Sequence, residues 1–352
     1  MGAQDPAPIP RRLPPIGLEM PPPKRAAIEE EWQTLKERLG AEGNPDIELF
    51  SKAVRFALDH GEFYKEKDFE LPGLLLAEAG RRLENPGWEK PKPGLHVRGY
   101  RSKIDGSVQP YGLEIPEAFV EGREAGLQRG QGWKGHPLWV WLHGRGDKET
   151  DMHFIHKRMT KPGQFQPADA IVLHPFGRQC VGWKWAGEWD VFEAIEDVGR
   201  HYEIDLGRIA LMGFSMGGAG AWHIGAHYSD RFACIHPGAG FAETKAYNRL
   251  KPENYPPVYE QMLWGLYDVP NYARNFLNVP LIAYSGEKDK QIQAARVMER
   301  ALVDHVRRHA GGRMGHVRDP GQLEQLRLHD RVNRGTLGRA WDDRIVDRRV
   351  GR

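Results

Sequence analysis

Four apolar runs dominate the chain from about residue 137: "PLWVWLHG", "DAIVLHPFG", "GRIALMGFS" and "VPLIAYSG". Runs this uniformly apolar belong to strands buried on both faces, the habit of parallel sheets covered by helices. A further run, "RFACIHPGAG" at 231–240, adds one more strand. Between the runs, apolar residues recur at helical spacing over 189–203, 216–228 and 291–309. Strands alternating with helices predict an α/β fold, a doubly wound, mostly parallel sheet flanked by helices. No internal repeat interrupts this pattern.

The preceding segment follows a different period. Ile28, Trp32, Leu35 and Leu39 recur at helical spacing. "NPDIELFSKAVRFALDHGE" opens on Asn44-Pro45 and stops at Gly61, the start and stop signals of a helix. A third apolar segment runs from Phe69 to Leu83. Residues 24–90 therefore read as an N-terminal helical extension or cap, carrying no catalytic pattern. "NPGWEKPKPG" at 85–94 is a breaker-rich linker. Asp105-Gly106 between alternating segments signals a hairpin. The first 23 residues are proline-rich, which suggests a stiff, disordered or surface-hugging lead.

Composition narrows the partners. The 352 residues fit one large α/β domain with extensions. A net charge of +2 is too balanced for nucleic acid to be the main partner. No run reaches the roughly 18 apolar residues of a membrane span. The N-terminus has no apolar core of a secretory signal, which favours the cytoplasm; a signal already removed would give the same sequence and a secreted or periplasmic protein. The two cysteines, Cys180 and Cys234, cannot build a disulfide framework or a cysteine-rich zinc site, and two buried thiols are expected rather than one bridge.

The chemistry concentrates in "GFSMGG". In open α/β sheets, sites lie beyond the carboxyl ends of the strands, where Ser215 falls. Gly213, Gly217 and Gly218 leave room for a sharp strand-to-helix turn that would hold the serine strained and exposed. The helix behind it offers unpaired N–H groups to an oxyanion. A nucleophilic serine needs a base, and the base an orienting acid, in the chain order Ser, acid, His. "PLIAYSGEKDKQ" supplies the acid: Asp289, three residues beyond Gly286, with Glu287 as the backup. The oxyanion donors are Met216 N–H and, from the loop "LHGRGD", Arg145 N–H, with Gly144 letting the backbone come close. His143 precedes the nucleophile and is expected to pack at its strand end.

Together "LHGRGD", "GFSMGG" and "SGEKD" resemble the α/β-hydrolase superfamily, closest to its prolyl-oligopeptidase-like and dienelactone-hydrolase-like esterases. The resemblance covers roughly residues 95–300, inside a catalytic domain drawn at 91–310. It implies a Ser-His-Asp hydrolase with no metal or organic cofactor. It also implies a catalytic histidine in a Gly-His pair past the acid, which is His316 after Gly315. His305 and His309 lie in the preceding helical segment, and His329 is a distant backup. The strand that normally separates the acid's helix from this histidine has no counterpart in "DHVRRHAGGRM".

The tail admits two readings. From 313 to 352 arginine appears ten times and apolar periodicity fades, as in a segment foreign to the family. Against that, Asp319 as N-cap, Pro320, Leu323, Leu326 and Gly335 spell a helix.

"HPFGRQCVGWKWAGEWD" follows a strand end and so falls on the active-site side. Trp183, Trp185 and Trp189 are candidates to wall a substrate pocket, with core packing as the alternative. Arg178 could clamp a substrate carboxylate or form a structural ion pair. Trp222 and His223 read as packing residues. The expected activity is cleavage of a carboxylic ester through an acyl-enzyme, with a short-peptide substrate, an acyl transfer or a non-catalytic binding module as alternatives. The expected partner is a small ester or short peptide, with neither nucleic acid nor membrane.

Overall fold

A computed structural model describes residues 13–40, 43–119, 134–286 and 288–310. Two compact units divide the chain: one of residues 1–90, 97–110 and 146–160, the other of 91–96, 111–145 and 161–352.

The first unit is built on helices α1 (Pro22–Leu39), α2 (Pro45–His60), α3 (Leu71–Glu84) and α4 (Asp151–Thr160). The signals read from the sequence act as expected in α2. The Asn44 side chain accepts from Asp46 N–H at 2.9 Å, Pro45 takes the first helical position, and Gly61 closes the helix in the left-handed region at φ 61°. Its apolar face, Leu49, Phe50, Ala53, Val54 and Ala57, is buried, as are Leu75, Leu76 and Ala79 of α3 and Met152, Phe154 and Ile155 of α4. One charged hub lies inside this core. The buried Asp46 carboxylate receives the Arg98 guanidinium at 2.5 Å and Gly99 N–H at 2.8 Å. Buried Arg82 donates to the carbonyls of Asp46 (2.7 Å) and Val97 (3.0 Å). Desolvation lowers the Arg82 pKa, and Glu78 opposes that shift.

Strands β1 (Gly94–Arg101) and β2 (Val108–Ile115) form the expected hairpin segments, with Asp105 accepting from Ser107 N–H in the turn. The remaining strands are β3 (His136–Leu142), β4 (Ile171–Pro175), β5 (Ile204–Phe214) and β6 (Cys234–Gly238). Among the described residues they hydrogen-bond in the order β1-β2-β4-β3-β5-β6. β2 meets β4 antiparallel, whereas β3–β4, β3–β5 and β5–β6 are parallel. Leu142 pairs with Gly213 and Phe214 with Gly238, so three strands end side by side.

The run "VPLIAYSG" is not a full strand. Residues 280–284 lie extended beside β6 and make two parallel bridges, Ile235–Leu281 and Gly238–Tyr284. The ladder is still regular: Ile282 N–H reaches Ile235 O at 3.0 Å and Tyr284 N–H reaches Pro237 O at 3.0 Å. Proline at 280 removes a donor where the strand would begin.

Helices α5 (Ala186–His201), α6 (Met216–His227), α7 (Val258–Trp264) and α8 (Ile292–Ala310) complete the second unit. The fold is the mixed α/β sheet flanked by helices that the apolar runs require. Trp139, Val172, Ala210, Met212 and Cys234 fill one face of the sheet. Leu138, Val140, Leu142 and Leu211 are fully buried between them along the same strands. Cys234 is buried and Cys180 half-buried, with no disulfide, so only one of the two thiols is as enclosed as expected. No described helix is long and apolar enough to cross a membrane.

His236 sits buried in the middle of β6, and desolvation lowers its pKa to about 4. In the unfolded chain a histidine titrates near 6.5. Above that pH both states are neutral and the group adds no pH dependence. As pH falls from about 6.5 to 4, the unfolded chain binds a proton that the folded chain refuses, so stability drops by up to about 1.4 kcal/mol per pH unit. Urea denaturation across that window should show the slope, and His236→Gln should flatten it by one proton's worth.

Candidate active site

Ser215 stands between the last residue of β5 and the first of α6, exposed at the tip of a strand-to-helix turn. Its backbone is at φ 57° and ψ −117°, a conformation suited to glycine rather than serine. Two hydrogen bonds hold it there: Ser215 N–H donates to Gly238 O at 2.9 Å, and Ala219 N–H donates to Ser215 O at 3.0 Å. The glycines of the motif act through contact. A Cβ on Gly217 would lie 1.9 Å from Leu142 O, so α6 can press onto the end of β3 only without one. Strain of this kind costs on the order of 1–3 kcal/mol and survives only where surrounding structure imposes it.

The loop after β3 reaches the same point. A Cβ on Gly144 would be 3.5 Å from Ser215 Cβ and 3.4 Å from Phe214 O, so this backbone passes directly beside the serine. Arg145, the next residue, is exposed. Met216 opens α6, and the first N–H groups of a helix have no intrahelical acceptor. His143 is turned away from such a role. One of its ring nitrogens faces Gly144 O at 2.8 Å and the other faces Phe176 O at 2.9 Å, with the ring edge-on to Trp183.

Asp289 follows the segment beside β6, on the side where β5 and β6 end. Its Oδ1 accepts from Gln291 N–H at 2.8 Å and its carbonyl accepts from Ile292 N–H at 3.1 Å. It thus caps α8, a role the sequence reading did not foresee, and its second carboxylate oxygen is not used by that cap. Glu287, His316, His329 and the whole 311–352 tail lie outside the described residues, so no distance joins Ser215 to a histidine of the tail. His305 lies on α8, as does the backbone of His309.

The tryptophans separate sharply. Trp183 is fully buried (0% exposed), donating to His143 O at 3.2 Å, and a Cβ on Gly220 would strike its ring at 2.7 Å. It is core under the nucleophile helix, the packing alternative. Trp185 is 70% exposed and Trp189 44%. Arg178 takes the structural alternative too, pairing with buried Asp190 at 3.1 Å. The sequence reading missed the group beside Trp185. Tyr267 OH accepts from Trp185 N–H at 2.7 Å and donates to Glu188 Oε2 at 2.9 Å. Burial, with Glu188 adjacent, raises this phenol to about 12. His223 and His227, four residues apart on α6, complete the group, and that spacing was its only trace in the sequence.

Ser215 thus stands strained and exposed at a strand-to-helix turn of an α/β sheet, with the Gly144 backbone beside it. The family model of the prolyl oligopeptidase family matches residues 182–309, which include Ser215 and Asp289. None of the curated proteins matches the chain. Among solved structures, the chain is similar to a thermostable esterase (19% identity, TM-score 0.39, covering 60% of this chain and 52% of that one). It is similar as well to an S-formylglutathione hydrolase from Staphylococcus aureus (16% identity, TM-score 0.39, 62% and 87% covered). A third is an S-formylglutathione hydrolase from Agrobacterium tumefaciens (17% identity, TM-score 0.42, 59% and 82% covered). The chain thus spans about half the length of the first of these.

The strain makes a stability prediction. Ser215→Gly relieves the unfavourable backbone, whereas Ser215→Ala keeps it. Urea denaturation should find the glycine variant about 1 kcal/mol more stable than the alanine variant. Equal stabilities would mean that the turn is relaxed in solution.

Proposed function

We propose that this chain is a serine hydrolase that cleaves a carboxylic ester through an acyl-enzyme on Ser215. The observation that carries the reading is the serine itself: exposed and strained at the end of β5, with the Gly144 backbone against it. The match of residues 182–309 to the prolyl oligopeptidase family supports it. That family's description also favours a second substrate class, a short peptide, cleaved by the same steps.

In this reading Ser215 Oγ attacks the substrate carbonyl while His316 accepts its proton. Asp289 orients His316 through the carboxylate oxygen that the helix cap leaves available. The carbonyl oxygen, now an anion, is held by the N–H groups of Met216 and Arg145, the first at the positive end of α6. Protonated His316 returns its proton to the departing alcohol. Water then attacks the acyl-enzyme by the same route and frees the acid and Ser215. No cofactor enters these steps.

Labelling with a fluorophosphonate probe tests the reading, because such probes react appreciably only with a serine activated by a base. Wild-type protein should be labelled at Ser215, mapped by mass spectrometry, and Ser215→Ala should not. Asp289→Asn, which can keep the cap, should lower kcat on a p-nitrophenyl ester by about 10⁴-fold. His316→Ala should abolish labelling. A folded wild-type chain that takes no label would be a binding module that has kept the elbow without its chemistry.

A further inference from the structure

Glu188, on the first turn of α5, meets His223 and His227, one turn apart on α6. Each offers one ligand atom, and those atoms lie within 4.8 Å of one another. Glu188 and His223 are buried (7% and 2% exposed). Hydrogen bonds fix which ring nitrogens carry protons. His223 Nε2–H donates to Gly182 O at 3.3 Å, and His227 Nδ1–H donates to Glu188 Oε1 at 2.7 Å. The second ring nitrogens, left to bind an ion, are His223 Nδ1 and His227 Nε2. Both atoms are buried, and neither has a hydrogen-bond partner.

Buried polar atoms are normally satisfied, so two orphaned imidazole lone pairs on one helix face point to something that accepts them. The ring separation lies within the range that two imidazoles on one ion can span, nearer the opposed limit than the tetrahedral value. With bonds of about 2.0–2.1 Å to zinc, two ligated imidazoles place their centroids about 5.2 Å apart at a tetrahedral angle and up to about 6.4 Å apart when opposed. The observed separation is 6.0 Å. The hydrogen bond from His227 Nδ1–H to Glu188 reproduces the carboxylate–histidine arrangement that orients metal-bound imidazoles. Tyr267 OH, at 2.9 Å from Glu188 Oε2, holds the carboxylate in turn.

Lys184 places a positive charge nearby, so a bound cation needs the Glu188 carboxylate to balance it. Lys184 Nζ lies 4.8 Å over the Tyr267 ring, and burial lowers its pKa, with Asp268 opposing that shift.

We propose that His223 Nδ1 and His227 Nε2 bind one divalent transition-metal ion of the zinc class, with the Glu188 carboxylate balancing its charge and orienting His227. The site is structural. His227 is twelve residues along the helix from Ser215, about 18 Å at 1.5 Å per residue. The ion would clamp one turn of α6, which the His227–Glu188 hydrogen bond joins to the start of α5, and it stands outside the cofactor-free chemistry that the family resemblance implies.

The test is a Co²⁺ titration of the full chain after treatment with a chelator, followed by visible absorption and by thermal melting. One equivalent should bind, with a ligand-field band between about 500 and 650 nm and a rise in Tm. Competition with Zn²⁺ should remove the band. Glu188→Gln should weaken binding by about 10–100-fold, and His227→Gln should abolish the band. His60→Gln, an exposed histidine of the first unit, should change nothing. If His227→Gln does not fold, judged by circular dichroism, Glu188→Gln carries the same test. Failure of the wild-type chain to bind one equivalent overturns the proposal and leaves a buried water donating to both lone pairs. Binding undiminished in both Glu188→Gln and His227→Gln overturns it as well, by placing the metal elsewhere. Neither readout depends on hydrolytic activity.

Discussion

The second unit depends on one contact between backbones, that of α6 against the ends of β3 and β6. A Cβ on Gly217 would sit 1.9 Å from Leu142 O, and one on Gly218 would sit 2.0 Å from Gly238 O. Side chains at either place would lift the helix off the sheet. With the helix down, the chain must reverse within one residue between β5 and α6, and Ser215 absorbs that reversal at φ 57°. The strain is thus a by-product of close packing, and it falls on an exposed serine. Trp183 completes the support from the other side, its ring filling the space that Gly220 leaves.

Much of this was legible because it follows from periodicity and from glycine. Uniformly apolar runs such as "PLWVWL" and "IALMGF" can be satisfied only between two layers of helices, and they became β3 and β5. Asn44, Pro45 and Gly61 bound α2 as local signals should, because caps act through neighbouring atoms. The same locality explains why "GFSMGG" could be read as a sharp strand-to-helix turn before any coordinates.

What failed to show in the sequence depends on distant partners. Nothing about Trp183 and Trp185, two residues apart, says that one is sealed in the core and the other is mostly exposed. Arg178 could be read as a substrate clamp until Asp190, twelve residues on, was found beside it. Asp289 was read for its chemistry, and its first duty proved to be the start of α8. The strand "VPLIAYSG" looked as good as its neighbours, yet it makes only two bridges, with Pro280 lacking a donor where it would begin. His316, the base expected from the resemblance, lies outside the described residues.

The Asp46 hub bears on how the chain is made. The carboxylate that starts α2 is answered by Arg98 and Gly99, some fifty residues later, and Lys52 finds Asp151 at 2.6 Å about a hundred residues later. During synthesis at the ribosome, then, the N-terminal helices emerge well before the groups that neutralise them. Until two later segments of chain arrive, these charges stay in water and the first unit cannot close around them. The linker at 85–94 is for this reason no seam. A cut there would separate pieces of one unit rather than two units from each other, and the helical region belongs to the history of the whole chain.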